Sequence, residues 1–266
     1  MALLQYKISS KALGTKTNLN VILPTPSPFE LEQRQGEEFY KSNQKYQVLY
    51  LYHGTHGDSW DWLRFSRIES YAQKHRLAVV MPEVQNSSFH NIPNSYAYYD
   101  YVSRELPEII NWTFPISRKR ENTFVAGLSM GGYGAFKVGM ANPEIFGAVA
   151  SLSGGFLLPE RIEHDRNCLH AAAYGPDEVL TGTIEDPYWL AKQVVNHPLC
   201  PKLYLCVGTT DPLTTQCNRD FKQYLDSIGF SYTYHEQPGG HDWDFWDDEI
   251  RRVLEWLPLK HTLVDE

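Results

Sequence analysis

The chain is poor in cysteine, in long apolar runs and in positive charge. It has four cysteines, Cys168, Cys200, Cys206 and Cys217, and no CxxC spacing among its 266 residues. That excludes a disulfide scaffold and points to free thiols in a reducing compartment. No window approaches the ~20 apolar residues that a membrane span requires. Lysine and arginine number 24 against 32 aspartates and glutamates, a net charge of -8 with no basic block. Such a chain is a poor ligand for nucleic acid or for an anionic membrane. The start, Met1-Ala2-Leu3-Leu4-Gln5-Tyr6-Lys7, lacks the basic opening, the apolar stretch and the small-residue cleavage site of a signal peptide. A cytoplasmic location is therefore expected.

What is present is ordinary globular composition, 42% hydrophobic and 21% charged, in a length ample for a real core. Aromatics reach 14%, with 17 Tyr and 7 Trp. Core and pocket lining account for such a content, as would a sugar-stacking surface.

Gln5 to Ser9 and Thr17 to Leu23 alternate polar and apolar residues around Gly14, and read as two edge strands. Three prolines, at 24, 26 and 28, end that element. Glu30 to Lys45 reads as a polar surface loop. From Gln47 onward the pattern changes to apolar strands alternating with helical spacing. Strands are expected at Gln47–Tyr52, Leu77–Met81, Thr123–Ala126, Ala148–Ser153, Leu203–Val207 and Tyr232–Glu236. Helices are expected at Trp60–His75, Tyr99–Trp112, Gly131–Met140, Asp220–Ile228 and Trp243–Trp256. This alternation predicts an α/β fold, a mostly parallel sheet with helices on both faces and right-handed crossovers. Between Gly155 and Pro201 no strand is visible. A loop that long reads as an inserted cap at about 156–200 of a single domain spanning 1–266.

The chemistry is concentrated in Gly127-Leu128-Ser129-Met130-Gly131-Gly132-Tyr133-Gly134. A G-x-S-x-G between a strand and a helix holds a serine hydroxyl exposed on a sharp turn, and the small neighbours let the strained chain pass. Gly132 and Gly134 would let the new helix pack closely. A phosphate-binding turn would instead carry G-x-G-x-x-G or GK[ST], and neither pattern occurs here. A serine hydroxyl needs a base, and the base needs an orienting acid, in the chain order Ser, acid, His. Asp211 lies in Gly208-Thr209-Thr210-Asp211-Pro212, the loop after strand Leu203–Val207. It is the candidate acid, and also a candidate helix N-cap with Pro212 at the first helical position. Asp177 and Asp186 are rivals that follow no clear strand. His241, in Pro238-Gly239-Gly240-His241-Asp242, follows the last strand and is the candidate base. His235 lies inside a strand, His261 in the tail, and His164, His170 and His197 precede the acid. Asp242 and Asp244 read as first-turn charges favoured by the helix dipole.

Two backbone donors are needed for an oxyanion. Met130 is one, by its place after the nucleophile. The other belongs to the loop His53-Gly54-Thr55-His56-Gly57, with Thr55 preferred and His56 as the fallback and as a candidate substrate contact.

With these residues in place, the chain resembles the esterase family of α/β-hydrolases that includes acetyl and tributyrin esterases, S-formylglutathione hydrolases, feruloyl esterases and mycolyl transferases. The carrying segments run from Gln47 to Trp246: the His53-Gly54 loop, Gly127 to Gly132, Gly208 to Asp211 and Gly240 to Trp243. The resemblance implies an α/β-hydrolase fold, a Ser129–His241–Asp211 triad and an oxyanion hole at Thr55 and Met130. It implies no cofactor, no metal and a small-molecule ester substrate. The first loop lacks the cysteine-bearing Ser-Gly-Leu segment expected of S-formylglutathione hydrolases. Phe156 to Pro198 is expected to set substrate preference, with Trp189 and Tyr188 lining the pocket or packing. The resulting expectation is a serine carboxylesterase for short-acyl esters, including acetylated carbohydrates, losing activity as the pH falls through about 6–7. The alternatives are a formylglutathione-type thioesterase and a catalytically inactive binding protein. The N-terminal strands offer an edge through which a homo-oligomer could form.

Overall fold

The computed structural model describes residues 1–33, 43–164 and 173–265. The chain opens with a hairpin of β1 (Ala2–Ser10) and β2 (Thr15–Leu23), closed through Gly14 at φ 60°. Next comes α1 (Pro28–Gln33), overlapping the start of the stretch expected to be loop. A capping box starts it: Ser27 Oγ accepts from Glu30 N–H while the Glu30 carboxylate accepts from Ser27 N–H. Most of the rest of that expected loop, 34–42, lies outside the described residues. It is followed by the two-residue β3 (Gln44–Lys45).

The sheet proper begins with β4 (Gln47–Tyr52). Then come α2 (Asp61–Phe65), α3 (Ile68–His75) and β5 (Leu77–Pro82). The single helix expected over Trp60–His75 is thus two. Ser66 turns extended at φ -136°, with its hydroxyl donating to Trp62 O and accepting from Ile68 N–H, so the side chain takes the place of the helical ladder. The helix expected at Tyr99–Trp112 is α4 (Tyr98–Asp100) and α5 (Leu106–Thr113), joined by a wide π-turn at Tyr101–Glu105. Pro107 has no N–H to continue an i→i−4 ladder, and the wide turn precedes it.

The remaining elements are β6 (Thr123–Leu128), α6 (Met130–Ala141), β7 (Ala148–Leu152), α7 (Pro159–His164) and α8 (Pro187–Val194). After them come β8 (Lys202–Gly208), α9 (Thr215–Ser227), β9 (Thr233–Gln237), α10 (Trp243–Trp256) and β10 (Val264–Asp265). The short β10 pairs with β3. The main sheet has the order β1-β2-β5-β4-β6-β7-β8-β9, parallel from β5 to β9 and antiparallel at β1 and β2. This is the α/β-hydrolase fold.

Strand alternation sends β4 into two cores. Val48, Tyr50 and Tyr52 pack on one face with Phe136 and Val138 of α6 and Phe221 of α9. Leu49 and Leu51 pack on the other with Ile68 and Ala72 of α3 and Ile250 and Val253 of α10. With both faces covered, the central strands read as unbroken apolar runs. Between β7 and β8 no strand occurs among the described residues. There α8 buries Leu190, Ala191 and Val194, and is capped by Asp186, whose carboxylate accepts from the Tyr188 and Trp189 amides. Residues 165–172, with Cys168 and His170, lie outside the described residues.

Candidate active site

Three strand ends converge at one edge of the sheet. At the end of β6 the chain turns at Ser129, with φ 53° and ψ -117°, directly into α6. A side chain in that region is strained and persists only where its surroundings enforce it. Here the Ser129 amide donates to Leu152 O of the neighbouring β7. The tightness of the turn explains its glycines. A Cβ on Gly127 would stand 2.4 Å from Gly131 O, and one on Gly131 2.4 Å from His53 O, both backbone atoms that cannot move aside. Gly131→Ala is accordingly expected to destabilise the protein by about 3 kcal/mol, measured by urea unfolding. Gly132 meets Ser151 and Gly154 at the end of β7, whereas Gly134 makes room for the Phe89 ring rather than for the sheet.

Asp211 follows β8 and His241 follows β9, and their loops are tied together. The Thr209 amide donates to Gln237 O, and the Thr210 amide and hydroxyl donate to Gly239 O. His241 Nδ1–H donates to Asp211 Oδ2 at 2.7 Å, and Ser129 Oγ–H donates to His241 Nε2 at 3.0 Å. The imidazole stands edge-on to Trp246, with ring centres 4.9 Å apart. Asp211 is 3% exposed. Burial pushes its carboxyl up, but hydrogen bonds from His241 and from the Thr214 hydroxyl and amide outweigh this and hold it at about 2. Asp211 is not the N-cap that the Pro212 pattern implied. Helix α9 starts later, at Thr215, and Asp211 instead closes a turn onto the amides of Leu213 and Thr214. Thr214 joins this candidate site, and the sequence did not single it out. Its signal was Asp-x-x-Thr, an acid with a hydroxyl three residues on.

The other candidates take different places. Asp186 is the α8 cap, and Asp177, His164 and His197 are exposed. His235 Nδ1–H donates to buried Glu249 at 2.7 Å, and His261 packs at a tilt against His75. Asp242 is a true N-cap of α10, accepting from Phe245 N–H.

Ser129 and His241 open onto a cavity of about 350 Å³ lined also by Thr55, His56, Gly155, Leu157, Leu213, Thr214 and Cys217. His56 is on its rim. Trp189 is not among its lining residues; it sits on α8, packed against the core. The His56 amide donates to Asn86 Oδ1, so it is committed elsewhere. The Thr55 amide has no protein acceptor among the described residues. Met130 is the first residue of α6, where the amide has no acceptor within the helix. Burial pushes the Cys217 thiol up to about 11, leaving it a weak nucleophile at neutral pH. Cys200, Cys206 and Cys217 are free thiols, and no metal-holding group of three His, Cys, Asp or Glu occurs among the described residues. No helix among the described residues is long and apolar enough to cross a membrane.

The profile of the esterase family described as "Putative esterase" matches residues 10–257. The chain belongs to this esterase family. An acetyl esterase from Caldicellulosiruptor saccharolyticus is 32% identical over 97% of this chain and 98% of its own. Among solved structures, the substrate-bound fluorophosphonate-binding serine hydrolase F (FphF) of Staphylococcus aureus superimposes with a TM-score of 0.85. It is 33% identical and covers 96% of this chain and 98% of its own. An S-formylglutathione hydrolase (FrmB), also from Staphylococcus aureus, has a TM-score of 0.81 at 33% identity and the same coverage. These likenesses make this family member a serine hydrolase of the carboxylic-ester class.

Proposed function

We propose that this esterase hydrolyses small, neutral oxygen esters with short acyl groups. Ser129 attacks the carbonyl carbon, and His241 takes the hydroxyl proton and returns it to the leaving alcohol. Asp211 holds the imidazole in the Nδ1–H form and stabilises its cation. The Thr55 and Met130 amides receive the developing oxyanion, and water then releases the acid by the same steps. The observation that carries this reading is the unbroken chain Asp211–His241–Ser129, at 2.7 and 3.0 Å, opening onto the cavity.

Two features support the substrate class. Gly155 and Leu157 also line a smaller chamber of about 20 Å³, backed by Tyr133, Tyr174 and Glu185. That is room for about one water or methyl group, which favours acetyl over long acyl chains. The described lining of the cleft carries no lysine or arginine, and the chain has a net charge of -8. An anionic alcohol or thiol would be received without a counter-charge. The acetyl esterase relative fits this reading, and acetylated carbohydrates are the polar neutral class to assay first. His56, at the rim, is placed to meet the alcohol side.

A thioesterase reading is favoured by the S-formylglutathione hydrolase likeness. Glutathione carries two carboxylates, for which the described cleft offers no cation. One comparison separates the readings: p-nitrophenyl esters from C2 to C12 against S-formylglutathione, with Ser129→Ala as the blank. The expected result is turnover of C2 to C4 esters far above the thioester, and a loss of roughly 10⁴-fold or more in the blank. A thioester faster by orders of magnitude overturns the neutral-ester assignment. A wild type that neither hydrolyses esters nor takes a fluorophosphonate label on Ser129 overturns the enzymatic one.

A further inference from the structure

We propose that His53 is a positioning residue for the oxyanion hole. Its imidazole fixes the plane of the Gly54–Thr55 peptide, so that the Thr55 amide faces Ser129. The proposal rests on the esterase reading above and gives a job to a buried titratable side chain which that reading does not use. His53 is 1% exposed and follows directly on β4.

Both ring nitrogens are engaged. Nε2 lies 3.1 Å from the Val84 amide, which can only donate, so Nε2 carries a lone pair. Nδ1 lies 2.8 Å from Gly54 O, which can only accept, so Nδ1 carries the proton. The Glu83 carboxylate stands 3.6 Å from the same Nε2. Gly54 O also accepts from Gly57 N–H at 3.2 Å, which closes the turn. Gly54 O and Thr55 N–H belong to one planar peptide, and no cis bond occurs among the described residues, so the two groups point in opposite directions. Pulling the carbonyl toward the imidazole thus turns the Thr55 amide away from it. That amide has no protein acceptor among the described residues, and Thr55 lines the cavity with Ser129 and His241. Val84 belongs to the loop after β5, so the imidazole also anchors the donor loop to the neighbouring strand end. A Cβ on Gly54 would stand 2.6 Å from Leu128 Cδ1 and 3.4 Å from Ser129 Cβ. The donor peptide therefore lies directly against the nucleophile turn.

Two variants divide the imidazole between its halves. In His53→Asn the amide nitrogen replaces Nδ1, keeping the bond to Gly54 O and losing the acceptor for Val84. In His53→Gln the amide oxygen replaces Nε2, keeping Val84 and losing Gly54. Each variant loses one buried hydrogen bond, so a purely structural role predicts equal effects. The positioning role predicts that His53→Gln loses about 10–100-fold in kcat with KM within about twofold. It also predicts weaker binding of a trifluoromethyl ketone by the same factor, because that ligand forms the tetrahedral oxyanion on Ser129. His53→Asn is expected to stay within about threefold of wild type on both measures. Equal losses in the two variants, or none in either, overturn the proposal while leaving the esterase reading intact. If wild type is no faster than Ser129→Ala, the esterase reading fails and the proposal falls with it. Should neither variant fold, the wild type decides. On addition of the ketone the Thr55 amide proton is expected to move downfield in NMR, and an unmoved Thr55 amide overturns the assignment.

Discussion

Asp211→Asn is expected to leave a folded protein that has lost about 10⁴-fold in kcat toward p-nitrophenyl acetate. The carboxylate accepts along four lines: from the Leu213 and Thr214 amides at Oδ1, and from the Thr214 hydroxyl and His241 Nδ1–H at Oδ2. An asparagine carbonyl oxygen can keep the two backbone bonds, which hold the turn. Its nitrogen then stands where Oδ2 was, and can only donate. His241 Nδ1 must become the acceptor, which moves the ring proton to Nε2. Nε2–H then points at Ser129 Oγ, 3.0 Å away, and the base can no longer take the hydroxyl proton. The distances barely change and the chemistry stops. Labelling of Ser129 by a fluorophosphonate is expected to slow in parallel with kcat. A variant that keeps more than about a tenth of the wild-type rate would remove Asp211 from the proposed triad. The same carboxylate has a stability signature. Its pKa is lowered on folding from 3.8 to about 2. Its contribution is therefore fully present above pH ~4 and is lost as the pH falls through about 2. The variant is expected to lack that acid limb, read as unfolding free energy against pH.

The parts of this architecture that were legible in the sequence are those where local pattern and tertiary demand agree. The parallel strands from Gln47 onward are apolar on both faces because both faces are covered, and α10 falls where its apolar spacing put it, Trp243–Trp256. The sharp turn at Ser129 was legible because only glycine fits at Gly127 and Gly131. The breaks were harder to see. Ser66 splits a helix by its hydroxyl alone, with the apolar spacing running straight through it. The capping box at Ser27 and Glu30 was a local signal within a polar stretch, where composition alone implied loop. Helix α9 starts at Thr215, before the expected Asp220, in a stretch where threonine propensity is low and side-chain bonds decide. Trp189 shows the limit for binding residues. An aromatic in the segment between β7 and β8 reads the same whether it lines the cavity or packs behind it, and only the placement of α8 separates the two.

The least legible feature is a buried charge pair, and removing half of it is expected to have the largest effect on stability. Lys137, fully buried on α6, donates from Nζ to both carboxylate oxygens of Glu185 at 2.5 Å and to Phe89 O at 2.8 Å. Glu185 also takes bonds from His90 at 2.9 Å, from the Tyr133 hydroxyl at 3.1 Å and from the Tyr174 hydroxyl at 3.4 Å. Three segments meet here: the loop after β5, the helix that follows Ser129, and the stretch between β7 and β8. In sequence, a lysine on a helix and a glutamate in a loop both read as surface. Burial pushes the Glu185 carboxyl up, but Lys137 and His90 hold it at about 2. Burial also lowers Lys137, and Glu185 works against that shift. Each charge is tolerable only because of the other. Glu185→Ala leaves a buried ammonium without its partner carboxylate, and is expected to cost about 3–5 kcal/mol. Such a loss lowers the melting temperature by about 10 °C or more in a chain of this size. The double variant Lys137→Met/Glu185→Leu removes both charges and keeps the volume, so most of the stability is expected to return. Urea unfolding of the three proteins decides it. If the double variant is as unstable as Glu185→Ala, the hydrogen bonds from His90, Tyr133 and Tyr174 hold the segment, and the ion pair adds little. If it recovers, the pair is what must be kept whole, and losing either half loosens the wall behind the helix that follows Ser129.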